Sequence, residues 1–374
     1  MELLIKDMAG EIPEGYSLTT DKVPIEHLFS RFDFAHVLVK ARKEMLPPFL
    51  PSIAKTWENL SDHPDLFRVV SCQNRDQTKW AHQVLWKTTG NGYVLQNLSS
   101  NDYMAATPLI KFVLNLCRGK PNQTWYLPSN LSEKKTQPGY TEKMIGVQTM
   151  KKIHQSVPSD LCDTVEFNFM FAKRASTRPL NQPVHIKPVT NSNKNEFLDF
   201  MEQNEGPVFI GNEELDQEDL HLDELNEDYQ NIGMTRKRQI YLAYTRKQDR
   251  PLGSAIVYEG PVGANLRFLE NKTHLTVDSD LQDEELADVC GALLNVAARH
   301  YDHFYPNFIP IITREKGAQG LKYHGAQLHV VYHQHSVVAE NSEVADYHLR
   351  VMDQRDQRIR EIALKRENKK RRQQ

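Results

Sequence analysis

Cysteine is scarce in this chain of 374 residues: Cys72, Cys117, Cys162 and Cys290 stand 45 or more positions apart, with no C-x-x-C pair. That spacing excludes a zinc knuckle and a thioredoxin motif. No stretch approaches the ~18 consecutive apolar residues of a membrane-spanning helix, and the first residues, MELLIKDMAGEIPEGY, lack an apolar core of signal-peptide length. A cytoplasmic protein with reduced, packed cysteines is the expectation. Charge of one sign is also missing. The net charge is −3, which gives no global pull toward nucleic acid or anionic lipid. The G-x-S-x-G, H-E-x-x-H, Walker A and Rossmann glycine patterns are absent too, so hydrolase, zincin, NTPase and dehydrogenase readings lose their usual support.

What is present is a globular composition, 39% hydrophobic and 25% charged, in a chain long enough for two cores. Patterning divides it into an N-terminal arm (1–30), a first domain (31–175), a linker (176–183), a second domain (184–340) and a tail (341–374). In the second block, VHIKPVT reads as a strand and residues 193–206 as a helix closed by Gly206. Residues 213–228 carry nine carboxylates and no Lys or Arg, with leucines at 215, 222 and 225. This predicts a solvated helix with one buried stripe. Strands follow at 238–246, 252–260 and 265–277. A helix over 283–302 has acids in its first turn, and after it come a strand at 308–313, a short helix at 315–325 and a strand at 328–338. The first block repeats this order. Helical or mixed segments precede strands at 67–74, 79–89 and 92–100; then come a helix at 102–117, a strand at 123–130, a helix at 140–153 and a strand at 164–174.

This order resembles the GNAT N-acyltransferase superfold in tandem, and EKGAQGLKYHGAQLHVVY (315–332) is similar to that family's closing helix, glycine and last strand. The resemblance implies an α/β fold class: two GNAT-like mixed-sheet domains in tandem with a basic C-terminal helical tail. It also implies an acyl-CoA ligand. The pyrophosphate would rest on backbone N–H groups between the fourth strand and the next helix, and the pantetheine arm in a splayed gap between two parallel strands. The second-block loop, VDSDLQDEELADV, has no glycine and carries Asp278, Asp280, Asp283, Glu284 and Glu285, which repel a diphosphate. The first-block loop offers Ser99, Ser100 and Asn101 as candidate cofactor-binding residues. The family's usual acid, a tyrosine four residues before the closing glycine, falls on Leu321, with Tyr323 turned away. Glu259, ending the third strand of the second block, is the candidate catalytic base.

Other features carry less chemistry. His300 with His303, and His333 with His335, share faces that could chelate a metal, but no motif completes either pair. Trp80 and Trp86 could stack on a ligand or fill a core. Residues 350–372 hold ten basic and four acidic residues, and the closing ENKKRRQQ (367–374) could reach an acidic partner. Two functions are expected to compete. One is a ligand-binding or regulatory protein on a degenerate acyltransferase fold. The alternative is an atypical N-acyltransferase that moves an acyl group from a thioester to an amine.

Overall fold

The computed structural model describes residues 7–20, 23–34, 45–116, 118, 122–128, 161–173, 178–246, 248–301, 308–338 and part of 346–361. In chain order these form β1 (Tyr16–Thr19), α1 (Ile25–Phe34), α2 (Leu50–Leu60), β2 (Phe67–Asn74), β3 (Trp80–Lys87), β4 (Tyr93–Ser100), α3 (Tyr103–Leu116), β5 (Gln123–Pro128) and β6 (Cys162–Ala172). The second half continues with β7 (Val184–Pro188), α4 (Lys194–Asn204), α5 (Pro207–Asn212), α6 (Asp223–Gln230), β8 (Lys237–Thr245), β9 (Gly253–Glu259), β10 (Thr273–Val277), α7 (Asp283–His300), β11 (Ile309–Thr313), α8 (Glu315–Lys322) and β12 (Gln327–Val337). The helix expected over 140–153 and the terminal ENKKRRQQ lie outside the described residues.

All twelve strands join one sheet in the order β1-β2-β3-β4-β5-β12-β6-β11-β10-β9-β8-β7. The order is a palindrome of two six-strand sets whose last strands have changed places. β12 lies antiparallel to β5, and β6 lies antiparallel to β11. The exchanged strands pair with each other at the centre. Each half keeps one parallel pair, β4 with β5 and β10 with β11.

Alternation along the strands sends side chains to two layers, as a period of two requires. In the second half Ala255 and Val257 join Leu286, Val289 and Leu293 beneath α7, whereas Ile256 and Tyr258 join Phe197, Phe200 and Phe209 of α4 and α5. In the first half Val70, Cys72, Ala81 and Leu85 face α3, and Val69, Trp80, Val84 and Trp86 face α1 and α2. The tail segment is tied to α3 by Lys111 Nζ–Asp353 Oδ1 at 2.7 Å and, just past the end of that helix, by Arg118 Nη2–Asp346 Oδ1 at 2.9 Å.

Two expectations are corrected. The acidic stretch is helical only from Asp223. Glu213 and Glu214 are buried because Arg238 reaches the main-chain carbonyls of both, and the Glu213 carboxylate accepts from Tyr258 Oη at 2.7 Å. The strand expected over 265–277 is confined to Thr273–Val277. Ahead of it, residues 260–272 make a buried loop whose own polar side chains satisfy its backbone. Asn271 Oδ1 accepts from Gly260 N, Glu270 Oε1 from Gly263 N, and Asn265 Oδ1 from Arg267 N. Such local bonds compete with ladder formation.

Candidate ligand sites at the two strand gaps

The first gap opens because β4 and β5 pair only at Tyr93↔Gln123 and Val94↔Thr124. A bulge bends β4 away: Ser99 pairs with His82 and Gln96 with Val84, so β4 carries one extra residue between these two pairs. The 260–272 loop of the second half occupies the space. Gln96 Nε2 donates to Ala264 O at 2.7 Å, Arg267 donates to Tyr126 O on β5, and Lys272 Nζ donates to Tyr126 Oη at 2.6 Å. Ala264, Leu266, Phe268 and Leu269 lie in the same core as Val94 and Tyr126. Trp57 Nε1 of α2 holds the loop by Gly263 O at 2.6 Å. Glycine is required there twice over: φ is +85°, and a Cβ would stand 2.9 Å from Ile53 Cα.

At the mouth of this gap Ser100 and Asn101 are spent on the neighbouring strand. Ser100 Oγ donates to Trp80 O at 3.1 Å and Asp102 O at 2.7 Å. Asn101 Oδ1 accepts from Trp80 N at 2.8 Å, and its amide donates to Thr78 O. The Asp102 carboxylate caps α3, accepting from Ala105 N at 3.2 Å and Tyr16 Oη at 2.8 Å. A carboxylate therefore stands where an anion would meet the helix start. Ser99 is buried, and among the described residues its Oγ has no hydrogen-bond partner.

The second gap is shorter. β10 pairs with β11 from Thr273 to Leu275 and regularly with β9 to Val277, with no bulge. Glu205, just past α4, closes it from above. Its carboxylate accepts from Thr276 Oγ1 at 2.7 Å, His274 Nε2 at 3.1 Å and Arg314 Nε at 2.7 Å. Burial alone would raise the Glu205 pKa, but His274 and Arg314 hold it below the ordinary value. On the opposite face α7 and α8 meet closely. A Cβ on Gly320 would stand 2.4 Å from Cys290 Sγ, and Leu321 is buried among Leu286, Cys290 and Leu293. Tyr323 is on the surface, 42% exposed. The start of α7 carries Asp283, Glu284 and Glu285, and Arg250 pairs with Asp278 beside it.

Glu259 points to the α7 face, away from Tyr258. Its carboxylate meets His300 Nδ1 at 3.0 Å and Lys237 Nζ at 3.4 Å. Burial would raise its pKa, and these two partners hold it low. His300 Nε2 in turn meets Tyr241 Oη at 2.9 Å. Both tryptophans are buried: Trp80 stacks on His82, and Trp86 lies under the Arg236 guanidinium and donates to Tyr229 Oη at 3.0 Å. Among the described residues no group of three His, Cys, Asp or Glu could hold a metal. Sequence reasoning passed over Glu205, His274 and Arg314 because their spacing, 69 and 40 residues, forms no motif.

The palindromic strand order, one parallel pair per half and the α7 and α8 layer define a GNAT-like fold in tandem, with the last strands exchanged. No sequence-family model and no curated protein matches the chain. Among solved structures it is similar to a GCN5-related N-acetyltransferase from Sphaerobacter thermophilus, at 8% identity over 88% of this chain and 98% of that one, with a TM-score of 0.45. It is also similar to a tandem GNAT protein from the clavulanic acid biosynthesis pathway, at 8% identity over 88% and 100%, with a TM-score of 0.43. N-myristoyltransferase from Saccharomyces cerevisiae aligns at 9% identity over 89% and 82%, with a TM-score of 0.37.

Proposed function

We propose that this is a ligand-binding or regulatory protein built on the acyltransferase fold, in which the seats for an acyl-CoA have been filled by the protein's own groups. The observation that carries the reading is the 260–272 loop: the groove a pantetheine arm would enter holds Ala264 and Arg267, bonded to Gln96 and Tyr126. A bound arm would have to displace a buried loop and leave those partners without hydrogen bonds, at roughly 1–3 kcal/mol each. Two further features support it: carboxylates at the starts of α3 and α7, and an apolar Leu321 where the family's acid stands. Cys72, Cys162 and Cys290 are buried and unbridged, which supports a reducing compartment and hence the cytoplasm. Among the described residues no helix is long and apolar enough to cross a membrane.

Thermal unfolding of the full chain with acetyl-CoA and with a long-chain acyl-CoA tests the reading. A ligand at 100 times its Kd adds ~2.7 kcal/mol. The expected result is no displacement of the transition by either thioester. A saturable rise would reinstate the N-acyltransferase alternative.

A further inference from the structure

Among the described residues, the layer between the first half's sheet and α1 contains a charge without a counter-charge. Arg31, in the last turn of α1, is 8% exposed. Its Nη1 is shared between Gln73 Oε1, at 3.1 Å, and His82 Nε2. Both acceptors are neutral. Burial first, and Arg31 second, push the His82 pKa down to about 3, and His82 Nδ1 is engaged with Ser71 Oγ at 2.6 Å. Among the described residues no carboxylate pairs with Arg31, and the cause that lowers its own pKa is desolvation. The Trp80 ring lies 5.3 Å from the guanidinium carbon and the C-terminal end of α1 supplies a fractional negative charge, but neither equals a carboxylate. A largely enclosed cation in this state favours an anion that reaches its unbonded nitrogens.

A second, independent orphan lies one strand away. Ser99 on β4 pairs in register with His82 on β3, so the two side chains share the face beneath α1. Ser99 is 4% exposed, and among the described residues its Oγ is without a hydrogen-bond partner. A guanidinium with nitrogens to spare and an unspent hydroxyl form a donor set, and a donor set calls for an acceptor.

We propose that the layer between α1 and strands β3 and β4 seats a small anion, a carboxylate or phosphate group, gripped by the Arg31 guanidinium and the Ser99 hydroxyl with His82 as the buttress. This rests on the ligand-binding reading above and specifies its ligand as an oxyanion. The carboxylate and phosphate sources share this chemistry and are separated by the probes.

The test uses the full chain in sodium acetate, inorganic phosphate or coenzyme A, each against sodium chloride of equal ionic strength, with thermal unfolding and the Arg31 Nε–H resonance as readouts. Acetate or phosphate is expected to raise the transition saturably and to shift the Arg31 resonance. Ser99→Ala should weaken the apparent affinity several-fold, and Arg31→Gln by about tenfold or more. In chloride alone, Arg31→Gln should be no less stable than the parent, because it removes a charge that the empty seat leaves uncompensated. Three outcomes would overturn the seat: no difference between acetate, phosphate and chloride; an equal response in Arg31→Gln; or a parent response that Ser99→Ala leaves untouched while the Arg31 resonance stays fixed. Silence toward acetate and phosphate would overturn the anion seat without touching the acyl-CoA reading. A coenzyme A response that persists in Arg31→Gln would overturn the acyl-CoA reading, and the acetate and phosphate arms would still decide the seat.

Discussion

Removing the Glu205 carboxylate is the most informative perturbation of the second gap. It holds together β10, through His274 and Thr276, and the start of α8, through Arg314. Glu205 is fully buried, whereas the Arg314 side chain is 41% exposed. In Glu205→Ala three donors lose their acceptor and a void remains, which for a broken buried pair costs about 3–5 kcal/mol. Glu205→Gln keeps an oxygen for His274 and Thr276 but turns an NH2 toward Arg314. The arginine can swing into water, so the loss should be about 1–3 kcal/mol. The pH dependence has a definite sign. The folded pKa of Glu205 lies below its unfolded value of about 4.3, so its contribution is complete above that pH and is lost as pH falls through the folded value. Urea unfolding of parent, Gln and Ala forms at pH 7, and at steps down to pH 4, measures both effects. The expected order of stability at pH 7 is parent, Gln, Ala, and the parent-to-Gln difference should narrow toward acid. Equal midpoints for parent and Gln at pH 7, or a difference that widens on acidification, would refute the account of Glu205 as a charged clasp.

Two other outcomes follow from the packing. Leu321→Tyr places an aromatic hydroxyl at the position that the GNAT resemblance assigns to an acid. Because Leu321 is enclosed by Leu286, Cys290 and Leu293, the change should lower stability by about 1–3 kcal/mol in chemical denaturation and produce no thioester turnover. A chain ending at residue 175 should fail to give a cooperative unfolding transition by circular dichroism. It would lack β12, the antiparallel neighbour of β5, and β11, the neighbour of β6. A sharp, reversible transition in that fragment would show that the exchanged strands are dispensable.

Much of the architecture can be read from local pattern. The strand at 67–74 has the bounds expected from its apolar residues, and α7 keeps the acidic first turn and the apolar face expected from 283–302. Periodicity could not reveal the exchange of β6 and β12. Each is an ordinary apolar strand, and its partner is decided by long-range docking rather than by its own sequence. The buried glutamates were missed for a related reason. A run of carboxylates reads as solvated until Arg238 and Lys272 are brought over it from elsewhere in the chain, and Lys272 Nζ stands 3.4 Å from Glu213. Among the candidate site residues, sequence reasoning grouped Ser99, Ser100 and Asn101 by adjacency. Strand alternation and turn bonding separate them: two serve the backbone of Thr78 and Trp80, and one lies beside His82.

The palindromic frame also explains why its two gaps are closed in different ways. The connection between β3 and β4 spans residues 88–92, whereas its counterpart between β9 and β10 spans 260–272. The longer of the two fills the other half's gap. The long loop reaches Gln96 and Tyr126 and contributes four apolar residues to the core there. The short one makes only local contacts: Asn91 N meets Glu214 Oε1 at 2.9 Å and Thr88 O accepts from Arg236 Nε at 3.0 Å. The second gap is closed by the buried ionic clasp at Glu205. The apolar part of the first filling is insensitive to pH and the Lys272–Glu213 pair beside it is buried on both sides, whereas the Glu205 carboxylate is bonded to a half-exposed arginine that water and salt can reach. Under mild acid the second half should therefore loosen at its gap before the first does, and amide exchange should register this at Thr276 and Arg314 ahead of Gln96 and Tyr126. Exchange that begins at the first gap would mean that the long loop, and not the clasp, is the weaker closure.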